Sequence, residues 1–100
     1  MKLEWAGIDK VIHERARLGI MSMLAAADEL SFVELKEHLG MTDGNLSVHL
    51  RSLGGAGYLI LERDLVDRKP RTTVRITRRG RIAFRDYLDL LERIVRRARE

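Results

Sequence analysis

The chain has 100 residues, 45% hydrophobic and 34% charged, with no cysteine. That length supports one small core rather than two, the composition suits a soluble helical domain and not a disordered tail, and the missing thiols exclude disulfides, thiolate metal sites and cysteine nucleophiles. The net charge of +4 is uneven, with five Lys/Arg against eight Asp/Glu in residues 1–50 and fourteen against seven in residues 51–100.

Residues 1–7 offer a single aromatic, Trp5. No apolar run reaches the length of a membrane span, and the N-terminus lacks a signal peptide's apolar segment, so a cytoplasmic protein is expected. Asp9 can cap a helix over about residues 9–27, with Val11, Ile12, Ala16, Ile20, Met23 and Leu24 on its apolar face and Leu18 and Met21 widening it. Ser31-Phe32-Val33-Glu34 fits a capping box, in which hydroxyl and carboxylate each satisfy an amide of the other residue. It opens a short helix, about residues 32–38. Gly40 suits the tight turn that follows.

Thr42 caps the next helix, over residues 42–53 (TDGNLSVHLRSL). Leu46, Leu50 and Leu53 recur on one side at helical spacing, while Gly44, Asn45, Val48 and Arg51 occupy the other. Two capped helices separated by three or four residues form a helix-turn-helix. The second of them presents the small and polar groups that can enter a DNA groove, and Asn and Arg can make paired bonds to adenine and guanine edges. Gly54-Gly55-Ala56-Gly57 ends this helix.

Residues 58–66 and 71–77 read as strands joined by a turn at Asp67-Arg68-Lys69-Pro70, a two-stranded hairpin with Val74 and Ile76 on one side and Thr73, Arg75 and Thr77 on the other. Seven basic residues, Arg68, Lys69, Arg71, Arg75, Arg78, Arg79 and Arg81, follow one another without an intervening acid. Clustered on a hairpin and the next helix start, they point to a polyanion. Thr77 caps a last helix over about residues 78–99, with Ile82, Phe84, Tyr87, Leu88, Leu91, Ile94, Val95 and Ala98 as its apolar positions. Its apolar surface exceeds what a small monomer covers, which predicts a homodimer built from the first and last helices, with Trp5, Ile12, Tyr87, Leu88, Leu91, Ile94 and Val95 at the interface.

His13, His38 and His49 lie at no chelating spacing, so no metal or other cofactor is expected. His49, on the border of the leucine stripe, reads as a partly buried, hydrogen-bonded histidine. There is no phosphate loop after a strand, no plausible Ser/His/Asp set and no paired carboxylates in a cleft, so an enzyme is not expected.

The predicted order is helix, helix, turn, helix, hairpin, helix: mainly α with a small β-hairpin (α+β). RLGIM at 17–21, TDGNLSVHL at 42–50, AGY at 56–58 and RKPRTTVRIT at 68–77 resemble winged helix-turn-helix transcriptional regulators at the border of the MarR and ArsR families, over about residues 12–91. The resemblance implies one winged-helix domain over residues 1–100, with the helix-turn-helix at about 32–55, the wing at about 58–77 and a C-terminal dimerisation helix at about 78–99. It implies a homodimer on double-stranded DNA, with half-sites about 10 base pairs apart. Thr42, Asp43, Gly44, Asn45, Ser47, Val48 and Arg51 would lie in or beside the major groove, and Arg68, Lys69 and Arg71 at the wing tip. The Cys or His/Asp clusters of ArsR-type metal sensors are missing, so metal sensing is not implied. The resemblance also suggests a place for a small apolar effector between the first and last helices, although the sequence names none. The alternative is a winged-helix module that docks on another protein in a transcription or assembly complex, with Val48 in its contact face.

Overall fold

The computed structural model describes residues 4–100. A single 3-10 turn (Glu4–Gly7) precedes α1 (Arg15–Ala27), β1 (Glu29–Ser31), α2 (Phe32–Leu39), α3 (Asp43–Gly55), β2 (Leu59–Val66), β3 (Lys69–Ile76) and α4 (Arg78–Ala98). The result is a helical body with a small three-stranded antiparallel sheet, ordered β1-β3-β2.

The first helix starts later than residue 9. Asp9 does cap, but only one turn: its Oδ1 accepts the amides of Val11 and Ile12 at 2.8 and 3.1 Å. Glu14 then adopts an extended conformation, φ −148° and ψ 137°, and its carboxylate caps a new start by accepting the amides of Ala16 and Arg17 at 2.9 and 3.3 Å. The Val11 carbonyl, left outside the helix, accepts from Arg17 Nε at 2.5 Å. This break folds Ile12 fully into the core and lets Asp9 accept the Tyr58 hydroxyl. Burial and a long-range hydrogen bond thus override a locally helical sequence.

The hairpin has a third strand. Asp28, at φ 70°, ends α1, and Glu29, Leu30 and Ser31 pair with Arg75, Val74 and Thr73. Three residues are too few for alternation to show in the sequence. Ser31 also opens α2 through the expected capping box: Glu34 N donates to Ser31 Oγ and Ser31 N to Glu34 Oε1, each at 3.0 Å.

Gly40, at φ 63°, ends α2, and Thr42 Oγ1 accepts the Asn45 amide at 3.2 Å to open α3. Gly54 and Gly55 do not stop α3, which continues through both. The stop is Gly57, at φ 83°: its amide bonds to Gly54 O and that of Tyr58 to Leu53 O, each at 3.0 Å, the Schellman pattern.

The wing turn is tighter than expected. Only Asp67 and Arg68 make it, both with positive φ (53° and 67°), between the paired Val66 and Lys69. That is the two-residue turn whose twist matches the strands. Lys69 and Pro70 belong to β3. Pro70 is tolerated there because it faces Leu65 one pair beyond the turn-closing one, where the strand's amides point to the open side that β1 does not reach.

One core joins all these elements: Ile12, Ile20, Met21, Leu24, Leu35, Leu46, Leu50, Leu53, Leu59, Val74, Ile76, Phe84 and Tyr87 are all buried. Thr77 Oγ1 accepts the Gly80 amide at 2.9 Å, and its hydroxyl donates to Gly57 O at 2.6 Å, which ties the end of α3 to the start of α4. Among the described residues no helix is long and apolar enough to cross a membrane.

Candidate nucleic-acid interface

α3 is sharply two-sided. Leu46, Leu50 and Leu53 are at most 1% exposed, whereas Thr42, Asp43, Gly44, Asn45, Ser47, Val48 and Arg51 all reach solvent. Three buried leucines over two turns leave the helix little freedom to rotate, so the exposed set forms one defined face. The flanks are held too. Lys36 Nζ of α2 lies 2.9 Å from Asp43 Oδ1, a solvent-exposed pair that partners the one acid of the exposed face. His49 Nδ1 lies 3.2 Å from Glu14 Oε2 and 3.3 Å from Arg17 Nη1, on the side of α3 that meets the start of α1. His49 is therefore the partly buried, hydrogen-bonded residue that its position in the stripe suggests.

The paired β2 and β3 carry Arg68 and Lys69 to the tip of the wing, where every residue from 60 to 71 is exposed. Each strand has eight residues, so the hairpin reaches about 26 Å. The protein is correspondingly elongated, 58 × 25 × 21 Å.

Folding divides the seven clustered cations. Arg71 Nη2 is 3.4 Å from Glu34 Oε1, Arg75 Nη2 is 3.4 Å from Glu29 and 3.7 Å from Glu62, and Arg81 pairs with Asp28 while donating to the Ala25 carbonyl at 3.3 Å. Arg68, Lys69 and Arg78 have no acidic partner among the described residues, and Arg79 lies along Gly57. Three of the seven are thus matched by acids, mostly from the first half of the chain. Glu34 in turn is stabilised as a carboxylate, held below its ordinary value first by the Ser31 amide, then by the Ser31 hydroxyl, with Arg71 and His38 adding to the effect against burial.

The residues expected at a dimer interface separate into two groups. Leu88 and Val95 are 44% and 43% exposed on α4, Leu91 and Ile94 are half-buried beside them, and Trp5 is 66% exposed on the N-terminal turn, whose Gly7 packs near Leu90. Ile12 and Tyr87, in contrast, lie inside the protomer's own core, and the Tyr87 hydroxyl bonds to His13 Nδ1 at 2.9 Å. They are core residues and do not form part of the exposed stripe.

Sequence reasoning placed Tyr58 only in the AGY motif and at the start of a strand, and did not single out Gly80. Tyr58 joins Asp9, Arg79 and the turn after α3, and Gly80 lets the first turn of α4 rest on the Tyr58 backbone. A glycine three residues after a capping threonine, at the start of an apolar helix, is the one local sign of that contact.

Comparison with known proteins matches this geometry. The family model described as winged helix DNA-binding domain covers residues 16–95. An uncharacterized protein of Methanocaldococcus jannaschii, MJ0432, is 33% identical over 79 residues, spanning 79% of this chain and 86% of that one. A transcriptional regulator homologue from Pyrococcus horikoshii OT3 superposes with a TM-score of 0.86 at 30% identity, covering 93% of this chain and 92% of that one. Overoxidized AbfR bound to DNA shares the fold at 17% identity and a TM-score of 0.71, over 90% of this chain and 62% of that one. With four helices, a three-stranded sheet and a projecting wing in the matching order, the chain belongs to the winged helix DNA-binding domain family.

Proposed function

We propose that the chain, one winged-helix domain over residues 1–100, acts as a homodimeric transcriptional regulator that binds double-stranded DNA sequence-specifically, with α3 in the major groove and the wing on the adjacent backbone or minor groove. The observation that carries this reading is the two-sidedness of α3: a buried leucine stripe opposite an exposed face of Thr42, Gly44, Asn45, Ser47, Val48 and Arg51. Asn45 and Arg51 supply groups for base edges, and Val48 suits a thymine methyl. Arg68 and Lys69 at the wing tip supply phosphate contacts. Family membership and the regulator homologue of Pyrococcus horikoshii support the same reading. The exposed apolar positions of α4, with Trp5, favour pairing of two copies through that surface, which sets the spacing of two recognition helices.

The test is fluorescence anisotropy with genomic fragments across a salt series. Specific binding whose logarithm falls linearly with the logarithm of salt is expected. Val48 at 54% exposure would equally serve a protein contact. A protein that ignores duplex DNA at every salt concentration and stays monomeric would replace the regulator with that interaction module.

A further inference from the structure

We propose that Glu14, Arg17 and His49 form a protonation-dependent partner switch that positions the recognition helix. The consequence for DNA rests on the function proposed above, whereas the switch itself does not. One nitrogen, His49 Nδ1, lies within reach of two groups of opposite character: the Glu14 carboxylate at 3.2 Å, which only accepts, and the Arg17 guanidinium at 3.3 Å, which only donates. It cannot serve both at once. With Nδ1 bare, the imidazole accepts from Arg17. With a hydrogen on Nδ1 it donates to Glu14; the imidazolium, which carries hydrogens on both nitrogens, always does so and also repels Arg17.

Both partners persist through the change. Arg17 keeps its bond to the Val11 carbonyl at 2.5 Å and its proximity to Glu14 at 3.8 Å. Glu14 stays ionised: chiefly the Ala16 amide, with the Arg17 amide and the His49 and Arg17 side chains, holds its carboxyl below the ordinary value against the effect of burial. Among the described residues, the charged groups within bonding distance of His49 are these two, both from the start of α1. Its own helix offers neutral Asn45 one turn back and Ser52, whose hydroxyl donates to Val48 O, while Arg51 lies on the exposed face. The imidazole is the side chain that changes charge between about pH 5 and 8. All three side chains are at most one-third exposed, so the exchange occurs at a packed contact between α1 and α3.

DNA adds a direction. The phosphates favour every positive charge near α3, so binding favours protonated His49, and by linkage affinity rises as pH falls. The test uses the 100-residue chain and two readouts. Imidazole nitrogen NMR of the free protein, followed from about pH 5.5 to 8, should show His49 Nδ1 bare at the upper end and protonated at the lower. Affinity for one selected duplex should strengthen about three- to tenfold from pH 8 to 6. His49→Gln should remove most of that gain, Glu14→Gln should shrink it by leaving protonated His49 against Arg17 alone, and His38→Gln, at an exposed position on α2, should retain it. An Nδ1 protonated throughout the range, or an unchanged pH profile in His49→Gln, would overturn the switch. Failure to bind any duplex at any pH would instead remove the DNA-binding reading, and the imidazole signals would still decide the switch.

Discussion

Gly80 meets the backbone of Tyr58 so closely that a side chain cannot fit between them: a Cβ on Gly80 would collide with the Tyr58 carbonyl oxygen and come within 3.0 Å of Ile76 Cγ1. Replacing glycine by alanine in a helix ordinarily stabilises it by about 1 kcal/mol. Here the sign should reverse, with Gly80→Ala costing about 2–3 kcal/mol through overpacking against backbone. Gly55 is the control. It is the last residue within α3 and has nothing near its Cβ position, so Gly55→Ala should gain about 0.5–1 kcal/mol. Urea denaturation of both variants tests the pair.

The ion pairs of the wing predict an unequal response to salt. Removing one cation that neutralises a phosphate should flatten the log–log salt slope by about 0.9. Arg68→Ala and Lys69→Ala should each do so, weakening binding on every sequence alike. Arg75→Ala should leave the slope nearly unchanged, because Glu29 and Glu62 already hold that guanidinium. Glu34→Gln, which releases Arg71, should steepen it.

Arg51→Ala should behave differently from either wing variant. Deleting a side chain that reads a base edge costs about 1–3 kcal/mol on the preferred sequence and little on others. Competition between a selected site and random duplex measures the change, and equal weakening on both would reassign Arg51 to the backbone.

Tyr58 makes the alkaline limb of stability distinctive. Burial, the hydrogen bond to Asp9 and the nearby Asp9 charge push its hydroxyl from 10.0 up to about 12, against a smaller opposing effect of Arg79. A group raised in the folded state contributes stability that is complete below its unfolded value and is lost as pH rises through the folded one. Wild-type protein should therefore lose stability progressively between pH 10 and 12, and Tyr58→Phe, less stable at neutral pH, should show a flatter decline over that window.

Leu88→Arg and Val95→Arg place charge on the exposed stripe of α4 without entering the core. Each should convert a dimer into a folded monomer in sedimentation equilibrium, with an unchanged helical circular dichroism spectrum. Operator affinity should then fall at least tenfold, because two recognition helices no longer bind as one unit.

The signals that act within one turn of chain are readable from the residues alone. Ser31, Thr42 and Thr77 each cap the helix that their spacing announces, and Leu46, Leu50 and Leu53 are the buried stripe of α3. The resemblance to winged-helix regulators rests on these same pieces, and the family match follows them. The late start of α1 at Arg15, the third strand and the continuation of α3 through Gly54-Gly55 are different. The first two depend on partners far along the chain, Tyr58 for Asp9 and Arg75 for Glu29, and the third on which of several neighbouring glycines takes the positive φ of the Schellman stop.

By itself, then, the sequence determined the helix-turn-helix, its exposed face and the wing, because caps, periodicity and turn residues act over three or four positions. Only the tertiary structure decided which cations remain free. Arg71 and Arg81 find Glu34 and Asp28 across 37 and 53 residues, and no count along the chain records such pairings. An unbroken run of basic residues became a short free tip and a set of internal ion pairs, because charge pairing follows distance in space and not order in sequence.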